Sequence, residues 1–214
     1  MKNLGDTDLK RLHRHWRRRT AGRLAVLLDS VQTPFNVGAI VRTAAAERVE
    51  HLYVAGASAF PDHPRSRKIS LGTERSVPWT GYETAAAAVA VVREARLFLL
   101  GIELADAAVP LHEVVLPDDV CLALGHEDRG LSARTLEACD AVAFVPQLGR
   151  GGSLNVASAA AIAMYEVRRR EWSSTPADEA REPGTHHAEP LADEEQSPRH
   201  LPGETGAEDG RPGE

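Results

Sequence analysis

An α/β fold with a parallel sheet is predicted for this chain, on three observations. Runs that are apolar, save for His51, and show no polar alternation occur at 24–28, 51–54, 97–100, 120–124 and 141–145. Segments with helical composition stand between them at 36–47, 82–95 and 132–139, and a last one follows at 153–170. The composition beyond residue 171 then breaks sharply from what precedes it. Strands covered on both faces lose the in-out alternation of a half-solvated sheet, and strands alternating with helices imply a parallel sheet with helices on its faces. At 214 residues, one domain of five or six strands with a tail at each end is the expectation.

Taken in order, residues 1–23 form a basic arm. Lys10, Arg11, Arg14, Arg17, Arg18, Arg19 and Arg23 surround Leu9, Leu12 and Trp16 at roughly helical intervals, which fits a short amphipathic helix, either a solvated charged arm or one that meets nucleic-acid phosphates. The run 24–28 is short, apolar and followed by turn residues, hence a buried strand. Residues 36–47 read as a helix with Pro34 near its start. A strand at 51–54 leads into a Pro-, Ser- and Arg-rich loop at 55–68. The segment 69–75 follows, and Arg65, Arg67, Lys68 and Arg75 make this region cationic. Pro110 and Pro117 mark 105–116 as an excursion between strands. Ser153 is placed to cap the last helix, and the glycines before it allow close backbone approach to a ligand.

From residue 172 the chain reads as a disordered acidic Pro- and Gly-rich tail, too poor in apolar groups to offset its ordering entropy. Its charge also corrects the overall balance. The chain carries a net −6, yet the residues from 171 onward hold twelve acids against three arginines, which leaves residues 1–170 at +3. A mildly basic body is thus compatible with a nucleic-acid partner. Cys121 and Cys139 sit in or beside apolar sequence and read as reduced thiols of a cytoplasmic protein. The nine histidines show no ligand spacing, so no metal is expected, and neither a membrane span nor a signal peptide is indicated.

No G-x-G-x-x-G follows the first strand and no G-x-x-x-x-G-K-[ST] occurs, which sets aside a Rossmann dinucleotide site and a P-loop. What remains is a set of loops at the carboxyl edge of the sheet, where ligands of such folds bind. Three patterns stand there: Asn36-x-Gly38-x-x-x-Arg42, then Gly125-x-Glu127-x-x-Gly130-Leu131-Ser132, then Ser153-Leu154-Asn155-Val156. In this order and spacing, over about residues 24–170, they resemble the three signature motifs of SpoU/TrmH-type SPOUT methyltransferases. That resemblance implies transfer of a methyl group from S-adenosylmethionine to a ribose 2′-hydroxyl of RNA, within a methyltransferase domain at 24–171. It also implies a deep C-terminal trefoil knot and a homodimer with the site assembled at the subunit interface.

Carried over position by position, the resemblance puts Gly101, Ile102, Gly125, Val145, Ser153 and Leu154 against the cofactor, with Ile102 and Val145 on either side of the adenine. Arg42 matches the catalytic arginine. Two roles are open to it, a transiently deprotonated base or a cation that stabilises the developing alkoxide; a pKa above about 12 favours the second. Asn36 would orient Arg42 or the ribose, or else cap a helix. Glu127 would tie loops through backbone N–H groups or pair with Arg42, and Asn155 with Ser153 would combine capping with hydrogen bonds near the target. Arg150 in the last loop, with Arg17, Arg18, Arg19, Arg67, Lys68 and Arg75, would contact RNA. His126, Asp128 and Gln147 depart from the commonest family pattern and bear on cofactor fit or substrate choice. Length, arm and motif layout resemble enzymes that modify a guanosine of the tRNA D-loop. Ribosomal RNA enzymes, wobble-position tRNA enzymes and a catalytically silent RNA-binding homologue are the other readings.

Overall fold

The computed structural model describes residues 2–174. The predicted tail lies, from residue 175 on, outside the described residues. Its first three positions belong instead to the last helix, which runs on to Ser174 rather than stopping at 170.

Seven strands form one sheet: β1 (Leu24–Asp29), β2 (His51–Ala55), β3 (Trp79–Tyr82), β4 (Phe98–Ile102), β5 (Val109–Pro110), β6 (Val120–Leu124) and β7 (Ala141–Phe144). Their spatial order is β3-β2-β1-β6-β4-β7-β5, and every pairing is parallel. β1 is buried along its whole length, which explains its unbroken apolar sequence. With side chains alternating across the strand, Leu24, Val26 and Leu28 join a core shared with α2 (Pro34–Ala46) and α6 (Val156–Ser174). Ala25 and Leu27 join a second core on the other face, beneath α4 (Ala85–Glu94) and next to α5 (Ala133–Ala138).

Five strands fall where the sequence predicts them. β3 and the two-residue β5 were not expected, and β3 has a clear cause: Tyr82 ends an edge strand paired with β2. α4 therefore begins later than the predicted 82, behind Thr84, whose hydroxyl accepts from the Ala87 N–H at 3.2 Å. The loop expected at 55–68 contains helix α3 (Pro64–Ser70). Proline and polar residues signalled a loop, but proline at a first helical position is pre-set for the helix, and the His63 ring accepts from the Arg65 N–H at 3.2 Å. α3 packs closely on α2 at Gly38, where a Cβ would lie 2.4 Å from the Ser66 carbonyl oxygen and 2.8 Å from the Ile69 Cβ. The amphipathic arm forms α1 (Asp6–Arg18), joined to α6 by the Trp16 and Trp172 rings, 4.9 Å apart.

Candidate active site

Because β1, β6, β4 and β7 are successive neighbours, the loops leaving their carboxyl ends emerge side by side. Three of the predicted side chains are bonded to one another there. The Glu127 carboxylate accepts from the backbone N–H of Thr33 at 3.0 Å and of Gln32 at 3.3 Å, and from Asn36 Nδ2 at 2.9 Å. Asn36 Oδ1 in turn accepts from Asn155 Nδ2 at 3.0 Å. Asn155 Oδ1 then accepts from the N–H groups of Ala157 at 2.9 Å and Ser158 at 3.3 Å, so Asn155 caps α6. One chain of hydrogen bonds thus joins the loop after β1, the loop after β6 and the start of α6. Burial works against ionising Glu127, but the bonds from Asn36 and the Thr33 segment outweigh it and bring its pKa down to about 2. The carboxylate stays charged, and charged acceptors make the stronger hydrogen bonds.

Several expectations are corrected by this geometry. Asn36 is not a helix cap, since α2 starts two residues earlier and its side chain is committed to Glu127 and Asn155. Ser153 is not the cap of α6 either: the helix begins at Val156, Asn155 holds its first N–H groups, and Ser153 is exposed. Of the two roles open to Glu127, loop tying is the one present. Pairing with Arg42 is not, and Asn36 does not orient Arg42. Six residues on a helix place them about 9 Å apart along the axis and on different faces. Arg42 is exposed, and its side chain makes no hydrogen bond or ion pair with any described residue.

The expected cofactor positions divide into two groups. Gly125 is buried, and a Cβ there would lie 2.1 Å from the Gly130 carbonyl carbon and 2.2 Å from the Leu131 nitrogen. Its smallness lets the loop 125–131 fold on itself, closed by the paired backbone bonds of His126 and Gly130. Gly101 faces Cys139 and Leu131 in the core beneath α5, so packing accounts for that glycine. Ile102, 9% exposed, belongs to the core on the α2 and α6 side, and Val145 packs against the same core. By contrast, Gly149, Gly151 and Gly152 have nothing within 4 Å of a built Cβ, Leu148 is fully exposed and Leu154 is 38% exposed.

Two carboxylates that shape these loops were missed. Asp29, buried at the end of β1, accepts from the Ser132 N–H at 3.0 Å and the Thr135 hydroxyl at 2.7 Å, anchoring α5. Glu103 accepts from the N–H groups of Leu131 at 2.9 Å and Leu104 at 3.0 Å. It sits where Gly130, at φ +67°, would otherwise carry a side chain. An acid closing an all-apolar strand was the available signal for Asp29; Glu103 had none.

The expected RNA-contacting residues are scattered. Arg17 and Arg18 are exposed on α1, whereas Arg19 turns inward, 5.0 Å over the Trp16 ring and donating to the Trp172 carbonyl at 3.2 Å. Arg67 pairs with Glu74 at 3.4 Å and, with Lys68 and Arg75, lines a shallow hollow of about 540 Å³. Arg150 is exposed in the glycine loop. Among the described residues, no group of three His, Cys, Asp or Glu side chains could hold a metal ion, and no helix is long and apolar enough to cross a membrane.

An open parallel α/β domain whose carboxyl-edge loops are tied by a Glu-Asn-Asn relay is therefore the class defined by fold and site. Residues 23–165 match the model of the SpoU rRNA methylase family, and the chain belongs to that family. It is 32% identical over 149 residues to the 23S rRNA (guanosine-2′-O-)-methyltransferase RlmB of Acinetobacter baylyi, covering 69% of this chain and 60% of the relative. The chain spans about three fifths of the length of the curated relatives it matches. Among solved structures it resembles the SpoU methyltransferase AviRb from Streptomyces viridochromogenes in complex with the cofactor AdoMet, with TM-score 0.67 and 28% identity over 74% of this chain and 65% of that one. It also resembles the A. aeolicus TrmH/SpoU tRNA modifying enzyme, with TM-score 0.63 and 25% identity over 81% of this chain and 92% of that one.

Proposed function

We propose that the protein is an RNA ribose 2′-O-methyltransferase that takes its methyl group from S-adenosylmethionine. The observation that carries this reading is the relay Glu127–Asn36–Asn155, which joins all three sequence motifs at one sheet edge. Bound S-adenosylmethionine supplies a methyl group activated on a sulfonium. The loops after β4, β6 and β7 suit such a ligand: Ile102 and Val145 offer apolar contact from one core, and Gly149, Gly151 and Gly152 are uncrowded. Gly125 lets the loop 125–131 fold on itself, Gly101 allows close packing beneath α5, and the exposed Ser153 and Leu154 are available to the donor. Arg42, with no partner among the described residues, is free to meet an anion. Its guanidinium stabilises the developing 2′-alkoxide and grips an adjoining phosphate, while the proton leaves to water. Positioning by the tied loops supplies several kcal/mol of the barrier reduction.

The substrate we infer is a guanosine ribose of ribosomal RNA, supported by relatives named as 23S rRNA guanosine enzymes. A tRNA substrate, including the D-loop guanosine, is the second reading, supported by the near full-length coverage of the A. aeolicus tRNA modifying enzyme. We further infer a homodimer, supported by the exposed Phe35, Leu154 and Ile162 on and beside α2 and α6, and a cytoplasmic location, supported by bacterial relatives named as RNA-modifying enzymes. The family's knot is inferred for the C-terminal segment, supported by the position of β4 between β6 and β7. Incubating purified protein with radiolabelled methyl donor and either 23S rRNA or total tRNA, then mapping the labelled ribose, tests the reading. Label on a 2′-O-methylguanosine of rRNA is expected; label only in tRNA moves the assignment to the second reading, and none in either removes the enzyme.

A further inference from the structure

Helices α2 and α6 both start near the carboxyl edge of the sheet, so their C-terminal ends lie at the opposite edge. There, with α1, they enclose a cleft of about 660 Å³, within the roughly 300–1,000 Å³ of small-ligand sites. Its wall is aromatic. Trp172 is fixed by its Nε1–H donating to Thr20 Oγ1 at 3.0 Å, and it meets Tyr165 at 72°, nearly perpendicular. The two rings do not stack on each other, and Tyr165 remains 53% exposed, whereas the Trp16 ring is met by Trp172 and by the Arg19 guanidinium. The rim is cationic. Arg17 has no partner among the described residues, and Arg48 lies at φ +55°, in the left-handed region where helix ends ordinarily place glycine. The strained Arg48 donates from Nη1 to the Thr20 carbonyl at 3.0 Å, which holds its side chain at the cleft. The half-buried Glu47 carboxylate lines the cleft beside Arg168, which attracts it electrostatically, and no described donor hydrogen-bonds it.

We propose that this cleft is a second RNA-contact site that receives an unpaired guanine nucleotide, remote from the methyl-transfer loops. The proposal rests on the reading of the protein as an RNA enzyme and adds a recognition element to it. Exposed aromatic faces stack on bases, and arginines at the rim meet the attached phosphates. The Watson–Crick edge of guanine presents N1–H and N2–H donors, which match a carboxylate that no described donor hydrogen-bonds; adenine presents one donor beside one acceptor there. A second copy of the chain is the competing occupant. Charge disfavours it, because two copies would bring like-charged arginine rims together, whereas a polyanion neutralises them.

Two of the three tryptophans, Trp16 and Trp172, line the cleft, so tryptophan emission of the full chain reports occupancy. Titration with guanosine 5′-monophosphate is expected to quench emission saturably, at least about fivefold more tightly than adenosine 5′-monophosphate. Glu47→Gln should erase that preference. Tyr165→Ala and the surface variant Arg17→Glu should each weaken guanosine monophosphate by about fivefold or more and raise the KM for RNA with little change in kcat. No quenching up to millimolar nucleotide, or affinity unmoved by both Tyr165→Ala and Arg17→Glu, overturns the proposal. So does a Tyr165→Ala protein that sediments as a smaller species with nucleotide affinity intact, which gives the face to a second copy. Calorimetry with S-adenosylmethionine on the same preparation separates the two levels: a protein that binds guanosine monophosphate but no methyl donor fails the enzyme reading, not the cleft.

Discussion

Two parts of the same sheet edge differ in how they are held. At the corner around residues 32–36, 125–131 and 155–158, the side chains that tie the loops are committed: Glu127, Asn36 and Asn155 to each other, and next to them Asp29 to α5 and Glu103 to the backbone around Gly130. A few residues away, the loop with Leu148, Arg150 and Gly149, Gly151 and Gly152 stands in the open. The committed groups build the walls in advance, at a cost met by hydrogen bonds. The uncommitted ones, together with Arg42, are left to a ligand. Residues that the motifs make prominent therefore divide into those that position and those that act, and this division can be broken experimentally.

The largest effect is expected from Arg42→Ala, because the side chain supports nothing in the described fold. Methyl transfer should fall by roughly 10²–10³-fold or more, the scale of losing one charge-stabilising donor, while calorimetry should find donor affinity little changed. Gly125→Ala should act on the other side of the comparison. Its Cβ meets backbone 2.1 Å away, so the loop must reopen, at about 3 kcal/mol, the upper end of overpacking costs; denaturant melts and donor titrations should both show it. Glu127→Gln keeps the shape but removes charge-assisted bonds, worth about 2 kcal/mol in a chemical melt.

The pH dependence of that variant sharpens the point. With a folded pKa of about 2 against an ordinary value near 4.3, the Glu127 contribution is fully present above the ordinary value and is lost as pH falls towards 2. The stability gap between wild type and Glu127→Gln should therefore be constant above about pH 5 and close on acidification. The smallest effect is expected at Gly151→Ala, where a Cβ meets open space: stability should move by no more than about 0.5 kcal/mol.

Much of the fold was legible because burial on both faces leaves a plain mark. Residues 24–28 and 120–124 are apolar at every position and lie paired at the centre of the sheet. Edge and short elements left weaker marks. β3 contributes four partly exposed residues, and α3 is hidden by a proline that reads equally as loop or helix start. At the site, motif spacing located Asn36, Glu127 and Asn155, but not which partner each would take, since that depends on how three distant loops meet. Arg168 shows the same limit. It looks like one more basic residue near the end of a helix, yet it is 2% exposed and donates to the carbonyls of Gly22, Glu47 and Arg48.

Hydrogen exchange of the full chain with and without S-adenosylmethionine tests the central claim most directly. Donor binding is predicted to slow exchange most strongly across residues 148–154, which are open in the free chain, with smaller gains at 101–104 and 125–131, which are already tied. Protection confined to the α1 and α6 cleft, or no protection at any of the three loops at saturating donor, would contradict it.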